Sequence, residues 1–201
     1  MSLLHSPLFP IYPDSKNGYI TLSGVRRWGF FTAGHVVDRK QDAVIRNISG
    51  TNIGKVIRYQ NSGSIDAAFI EMTGYGSTFV KVVDNSFTIK PLTFVLPAVG
   101  SIVYMSGHVT RQSYPGPNPG SVISVVNSRN WGTAGGGVFT NLIEANYLSA
   151  RGDSGGLVYV RTSSPQEAIA VGVHKGSTTG TTSRWSTRVG AISAAWDSLP
   201  S

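Results

Sequence analysis

The sequence predicts an all-β protein, and three observations support this class. Short apolar or alternating runs recur along the chain between Gly, Asn, Ser and Pro residues. Long amphipathic helices are missing, and only residues 188–199, with Val189, Ile192 and Trp196, have near-helical spacing. The chain has 201 residues, of which 40% are hydrophobic and 13% charged, and this balance is typical of a folded protein. We therefore expect a β-sandwich or barrel with a short C-terminal helix.

The expected strands follow one another at short intervals and are rich in residues that favour strands. In chain order they are 19–22, 29–32, 43–47, 55–59, 67–72, 88–95, 101–105, 121–126, 138–143, 157–160 and 168–173. Residues 113–121, SYPGPNPGS, contain too much proline and glycine for a strand interior and predict an exposed loop. Pro91, Pro97 and Gly100 mark the expected division of the chain, because prolines fall at sheet edges and connections.

A glycine-rich pentapeptide, Gly152-Asp153-Ser154-Gly155-Gly156, carries the strongest chemical signal in the chain. Glycines on both sides of a serine permit a tight turn in which main-chain N–H groups converge. Such a turn presents the Ser154 hydroxyl as a nucleophile, although an isolated Gly-Asp-Ser is also compatible with a plain hairpin turn. A serine nucleophile needs a base and a group that orients it, and His35 in FFTAGHVVD and Asp66 in GSIDAAFIEM lie upstream.

Three motifs in this order resemble the chymotrypsin-like serine proteases, most closely the streptogrisin-type branch and its glutamate-specific relatives. Thr32-Ala33-Gly34-His35 is similar to the family's histidine motif, Asp66-Ala67-Ala68 to its aspartate motif, and GDSGG to its serine motif. Weaker similarity in GSIVYMSGHVT, GGVFTNLIEANYLSARGDSGG and AIAVGVHKGS extends the resemblance from about Gly18 onward.

The resemblance implies two six-stranded antiparallel β-barrels, the trypsin-like double barrel, with a short C-terminal helix. Residues 1–95 would form the barrel that carries His35 and Asp66, and residues 96–201 the barrel that carries Ser154 and the specificity pocket. It also implies a serine endopeptidase in which His35 is the base, Asp66 orients it, and Ser154 forms the acyl-enzyme. The main-chain N–H groups of Gly152 and Ser154 would form the oxyanion hole.

Two departures from the resembled family concern residues near these motifs. Asp153 is expected to bind a buried positive partner, yet neither a matching N-terminus nor an arginine in VYMSGHVT supplies one. Lys175 stands where the family usually has serine. The partner of Asp153 is therefore left open by the sequence.

A substrate pocket is expected from VGVHKGSTTG, which resembles the strand that lines the family's primary pocket. His174 and Ser177 match positions where glutamate-specific relatives have a histidine and a serine, and Arg151 precedes the serine motif. These three residues predict cleavage after glutamate and, less well, after aspartate. A solvent-facing edge strand with polar side chains is the alternative interpretation.

Composition limits the cofactors and partners. The chain has no cysteine, which excludes disulfides and thiolate ligands, and its four histidines form no metal-binding spacing, so we expect no metal and no cofactor. The net charge is +7, but the basic residues are scattered, so we expect no nucleic-acid partner. No apolar run is long enough to cross a bilayer, and residues 1–13 lack the features of a signal peptide. We expect a monomer, without a membrane partner, that acts on peptides or proteins.

Two rival functions remain open at this stage. A protease that processes a viral or intracellular polyprotein would have the same chemistry, and the absence of cysteine is compatible with it, whereas secretion is the expectation from the streptogrisin-type resemblance. A catalytically silent binding module would keep the fold and misassemble the three residues.

Overall fold

The computed structural model describes residues 16–22, 25–37, 42–46, 51–72, 82–83, 87–89, 96–125, 128–132, 136–164, 167–196 and 198–199. The strands in these ranges are β1 (Lys16–Leu22), β2 (Val25–Thr32), β3 (Val44–Arg46), β4 (Asn52–Ser62), β5 (Ile65–Met72), β6 (Val82–Val83), β7 (Phe87–Ile89), β8 (Ile102–Ser106), β9 (Pro119–Ser124), β10 (Ser128–Asn130), β11 (Val138–Thr140), β12 (Ile143–Ala145), β13 (Leu157–Arg161), β14 (Glu167–Ser177), β15 (Arg184–Arg188) and β16 (Ser198–Leu199). The helices are a 3₁₀ turn (Gly34–Val37), α1 (His108–Ser113) and α2 (Val189–Trp196). The expected all-β class with a short C-terminal helix is confirmed.

The first sheet is antiparallel and has the strand order β16-β1-β2-β5-β4-β3. Its central strand β5 is buried on both faces from Ile65 to Ile70. Successive side chains of a strand point to opposite faces, and β5 uses this alternation to serve two cores. Phe69 packs with Phe31 and Trp196 in one core, whereas Ile70 packs with Val56 in the other. Asp66 therefore lies in a strand that is buried on both faces.

The second sheet closes on itself. Its order is β13-β8-β9-β12-β15-β14-β7-β6, and an additional pairing of β13 with β14 joins six of these strands into a ring. Val103, Met105, Val122, Ile143 and Val158 belong to the core cluster of this barrel. Interior side chains fill a barrel of this size. The strands next to Ser154 are therefore held in place by a packed core.

Several elements differ from the sequence-based expectation. The helix is α2, not residues 188–199, because Arg188 belongs to β15, where it pairs with Gly172 of β14, and β16 pairs with β1. The expected strand 138–143 is divided into β11 and β12, where Asn141 has φ 56°. The expected loop 113–121 is shorter, because α1 ends at Ser113 and β9 begins at Pro119. Of the expected strand 88–95, β7 covers the beginning, and 90–95 lie outside the described residues.

The two sheets exchange short elements across the expected division at residues 95 and 96. β6 and β7 precede this point in the chain but extend the second sheet from β14, while β16 from the C-terminal end extends the first. Long-range strand pairing causes this exchange, and no local sequence pattern indicates it. The boundary between two domains stays a prediction. No helix in the described ranges has the length and apolar character needed to span a membrane.

Candidate functional site

His35 lies in the 3₁₀ turn that follows β2. A Cβ atom on its neighbour Gly34 would come within 2.2 Å of the Gln60 carbonyl oxygen, so this turn can approach β4 only with glycine at that position. The turn itself contacts β4 and β5. His35 is consequently placed beside the beginning of β5, where Asp66 is located.

Asp66 binds His35 through both carboxylate oxygens. The His35 main-chain N–H donates to Asp66 Oδ1 at 2.8 Å, and Nδ1 of the imidazole lies 2.7 Å from Oδ2. An ionised carboxylate only accepts hydrogen bonds, so Nδ1 carries the proton of this contact and Nε2 is left as the basic nitrogen. The Asp66 side chain is fully buried, whereas that of His35 is 31% exposed. In this pair, the basic residue His35 is partly exposed, and the acidic residue Asp66 lies buried behind it.

The charge of Asp66 is maintained by its neighbours. Burial by itself raises the pKa of this carboxyl group, but hydrogen bonds and positive charge from His35 and Lys175 outweigh burial and leave the pKa below its usual value. The Asp66 main-chain N–H also donates to Thr187 Oγ1 of β15 at 2.9 Å. Asp66 is therefore ionised at neutral pH and is held by both sheets.

Ser154 lies in a turn, residues 152–156, that packs directly against the histidine segment. Gly152 and Gly155 have φ values of 106° and 91°, which other residues adopt only with strain. A Cβ atom on Gly155 would come within 2.2 Å of Thr32 Oγ1 and 3.1 Å of the Ala33 nitrogen. The glycines thus allow the serine turn to lie against the residues that immediately precede His35.

Some polar groups of the serine turn have hydrogen-bond partners and others do not. The Ser154 hydroxyl donates to the Lys175 carbonyl oxygen at 3.2 Å. The main-chain N–H groups of Gly155 and Gly156 donate to the carbonyls of His174 and Asp153. Within the described part of the chain, the N–H groups of Gly152 and Ser154 donate to no acceptor. This is the pattern needed in an oxyanion hole, whose donors must be available to a substrate oxygen.

Asp153 binds the beginning of α1, a partner that the sequence left open. Its Oδ1 accepts hydrogen bonds from the main-chain N–H groups of Val109 at 2.7 Å and Thr110 at 3.1 Å. Its Oδ2 accepts from the Thr110 hydroxyl and from the Ala150 N–H, the latter at 2.7 Å. These described donors are uncharged groups, so no arginine or chain terminus is among them. The contact requires Gly107, because a Cβ atom there would lie 2.5 Å from the carboxylate carbon.

Lys175 occupies a β-bulge in β14 and turns its side chain toward Asp66. In the pairing with β15, His174 faces Ser186 and Gly176 faces Trp185, which leaves Lys175 as the extra residue. Its Nζ donates to Asp66 Oδ2 at 2.8 Å and to Asn61 Oδ1 at 3.2 Å. Burial lowers the pKa of this amine, and the charge of Asp66 opposes that effect. Sequence reasoning noted Lys175 as a departure from the family but assigned it no role.

His174 is buried beside Tyr147. Its Nδ1 lies 3.0 Å from the Tyr147 hydroxyl, and in the described part of the chain Nε2 has no hydrogen-bond partner. Burial lowers the pKa of His174 to about 4, so its ring is neutral at pH 7. Burial also raises the pKa of Tyr147, which keeps its hydroxyl protonated. In the tautomer in which the Tyr147 hydroxyl donates to Nδ1, the ring proton of His174 is on Nε2.

The other two expected pocket residues are on the surface. Ser177 ends β14 and is paired with Arg184, and its side chain is exposed, as is that of Arg151. No hydrogen bond or ion pair among the described residues joins either of them to His174. Over the same ranges, no group of three or more His, Asp or Glu side chains could hold a metal ion.

Comparisons with known proteins identify the fold of this chain. No protein-family profile matches the chain, and no curated protein matches it. Among solved structures, a glutamic acid specific serine protease, described as using a histidine triad in substrate binding, is 22% identical, with a TM-score of 0.67 over 92% of this chain and 91% of the other. Cellulomonas bogoriensis chymotrypsin is 22% identical, with a TM-score of 0.63 over 93% and 97%. Thermobifida fusca protease A is 20% identical, with a TM-score of 0.63 over 95% and 92%. The expected trypsin-like double-barrel fold is thereby confirmed.

Proposed function

We propose that the chain is a serine endopeptidase that hydrolyses peptide bonds through an acyl-enzyme on Ser154. The observation that carries this proposal is the His35–Asp66 pair, joined at 2.7 Å and 2.8 Å, beside a serine turn with two free main-chain donors. The fold shared with bacterial serine proteases supports the same reaction class. A fold hosts many activities, so the site residues carry the argument.

In the proposed reaction, the Ser154 hydroxyl leaves the Lys175 carbonyl and donates to Nε2 of His35. Serine oxygen attacks the substrate carbonyl carbon while His35 takes the proton, and Asp66 stabilises the imidazolium that forms. The negative oxygen of the tetrahedral intermediate accepts hydrogen bonds from the Gly152 and Ser154 N–H groups. His35 then protonates the leaving amine, and water attacks the acyl-enzyme by the reverse sequence.

The first prediction concerns the three catalytic candidates. Ser154→Ala and His35→Ala should each lower kcat by about 10⁴-fold or more, and the double variant should lose little beyond the worse single one, because such residues act as a unit. An organophosphonate probe should label wild-type protein on Ser154, as located by mass spectrometry of its peptides. Ser163→Ala is the matched control, since Ser163 is an exposed serine outside the turn.

Two outcomes contradict the assignment. Losses that simply add in the double variant would show that the residues do not act together. Folded wild-type protein that the probe leaves unlabelled would favour the rival interpretation of a silent binding module.

We further propose that the enzyme prefers glutamate before the cleaved bond, and aspartate less. The support is His174, whose ring is buried and neutral; when its Nδ1 accepts from the Tyr147 hydroxyl, its Nε2–H can donate to a substrate carboxylate. A hydrogen bond to a charged group contributes about 1.5–3 kcal/mol. Ser177 and Arg151 have exposed side chains, and in this proposal they are further groups that can bind the substrate carboxylate. The compared glutamic acid specific protease is described as binding substrate through a histidine triad, whereas tyrosine is the described ring partner of His174 here.

The second prediction tests this specificity. Wild-type enzyme should cleave after glutamate roughly ten- to a hundredfold better than after glutamine, from about 1.4 kcal/mol per factor of ten. His174→Val should remove most of this ratio, as measured by kcat/KM on peptides that differ only at that residue. Its acylation by a small uncharged probe should stay near the wild-type rate. Preferred cleavage after large apolar or basic residues would contradict the pocket assignment, but it would not affect the assignment of Ser154 as the nucleophile.

A further inference from the structure

Lys175 places a positive charge inside the site, where the proposed mechanism does not use one. The lysine side chain is 3% exposed and the Asp66 side chain 0%. A buried ammonium group is costly unless it is paired, so its position needs an explanation. The β-bulge at Lys175 directs the side chain away from the barrel of its own sheet and toward β5 of the other.

The ammonium group has four described partners. Asp66 Oδ2 and Asn61 Oδ1 accept from Nζ at 2.8 Å and 3.2 Å. The ring of Phe139 lies 3.9 Å from Nζ and that of Trp131 5.1 Å, distances at which aromatic faces attract a cation. Carboxylate, amide oxygen and two rings together form a site built for a cation.

His35 and Lys175 bind the same carboxylate oxygen. Asp66 Oδ2 is 2.7 Å from His35 Nδ1 and 2.8 Å from Lys175 Nζ. The negative charge that would stabilise a protonated imidazole is therefore shared with the ammonium group of Lys175. Two like charges that meet at one acceptor oppose each other, and in a buried site this repulsion is weakly screened.

We propose that Lys175 is a positioning residue that holds Asp66 and, by sharing its charge, extends the activity of His35 as a base toward lower pH. This proposal rests on the proposed function, because it takes His35 to be the base. Among the described residues, the other polar groups near this pair are neutral: Asn61 on β4, Thr187 on β15, and His174 on β14. Lys175 is thus the group whose removal should alter proton uptake at His35.

The test compares the pH dependence of kcat/KM in four proteins, with a peptide substrate that has no group titrating between pH 4 and 9. Lys175→Met removes the charge and keeps an unbranched side chain that is one atom shorter, and Lys175→Gln removes the charge but keeps a hydrogen-bond donor. In both variants the acid limb, which is the fall of kcat/KM at low pH, should move to higher pH by about one unit. This shift is equivalent to a tenfold change in the fraction of His35 present as free base. Lys55→Met, which removes an exposed lysine paired with Asp42, is the matched control beside wild type and should not move the limb.

A second measurement does not require catalysis. In a Ser154→Ala background, NMR signals of the His35 ring should report proton uptake at a pH about one unit higher when Lys175 is replaced. If the ring responds while the wild-type chain hydrolyses nothing, the electrostatic inference holds and the proposed function fails. If folded Lys175 variants titrate like wild type, the inference is overturned even if their turnover falls, because a purely structural role would lower the rate without moving the titration.

A charge rescue completes the experiment. The chain has no cysteine, so Lys175→Cys introduces a unique thiol that bromoethylamine converts into a lysine analogue. Fully alkylated protein, verified by intact mass, should regain the wild-type acid limb. A limb that stays displaced in the alkylated, folded protein would contradict the role of the positive charge.

Discussion

Burial decides which charges the individual residues of this site carry. Asp66 is fully buried and ionised because His35 and Lys175 surround it with donors and positive charge. His174 is equally buried, but its neighbour is a neutral tyrosine hydroxyl, and its pKa is lowered to about 4. Both side chains are buried, so their partners make the difference: Asp66 stays charged beside two basic groups, and His174 stays neutral beside a hydroxyl.

A prediction about stability follows from the lowered pKa of His174. An unfolded histidine takes up its proton near pH 6.5, and folded His174 does so near pH 4. Between these values the unfolded state binds more protons. The contribution of His174 to the free energy of unfolding is therefore fully present above pH 6.5 and is lost as the pH drops toward 4. The loss should be on the order of 3 kcal/mol, at about 1.4 kcal/mol per pH unit. Chemical denaturation from pH 7.5 to 4 measures it.

His174→Val supplies the comparison for this measurement. Its stability should vary less over the same pH range, because valine does not titrate. An equally steep decline in His174→Val would show that another group causes it. Asp66 contributes at lower pH, because its pKa is depressed below 3.8.

Among the elements, the short helix α1 supports the serine turn. Asp153 accepts hydrogen bonds from two main-chain N–H groups at the start of α1 and from the Thr110 hydroxyl. These donors are provided by local structure, so the turn does not depend on a charged partner from elsewhere in the described chain. The Gly107 position allows the carboxylate to approach this closely.

A further prediction is that Thr110→Val destabilises the serine turn. Valine has nearly the same shape but cannot donate to the buried Asp153 carboxylate, and loss of a hydrogen bond to a charged group costs about 1.5–3 kcal/mol. Both the free energy of unfolding and kcat should fall, with KM less affected. Thr179→Val, at an exposed threonine in a turn, is the control and should behave as wild type. An unchanged kcat in Thr110→Val would contradict the link between α1 and the serine turn.

For the molecule as a whole, the two sheets share a core and a network of polar contacts. Phe31 and Phe69 of the first sheet pack with Val173 of the second and with Trp196 of α2. Asp66 is bound by groups from both sheets. Because the candidate site is formed across this junction, its geometry depends on the packing of both halves and on neither half alone.

Much of the fold and of the candidate site could be predicted from local sequence. The all-β class follows from short apolar runs between turn residues, since periodicity and turn chemistry involve only near neighbours. Ser154 could be singled out because a turn of its shape needs glycine at specific positions, and Gly152 and Gly155 do have positive φ. His35 and Asp66 were predicted as its companions from motif order, and the structure places them in direct contact. Their catalytic roles stay predictions.

Only the tertiary structure decided which distant groups complete the site. Asp153 meets Val109 across 44 positions of the chain, His174 meets Tyr147 across 27, and Lys175 meets Asp66 across 109. The pairing of β16 with β1 and the bulge at Lys175 are likewise long-range. The physical reason is that local preference specifies backbone turns and strand faces, whereas the partner of a buried polar group depends on which elements pack together. A buried charge must be paired, but its sequence neighbours do not indicate with what.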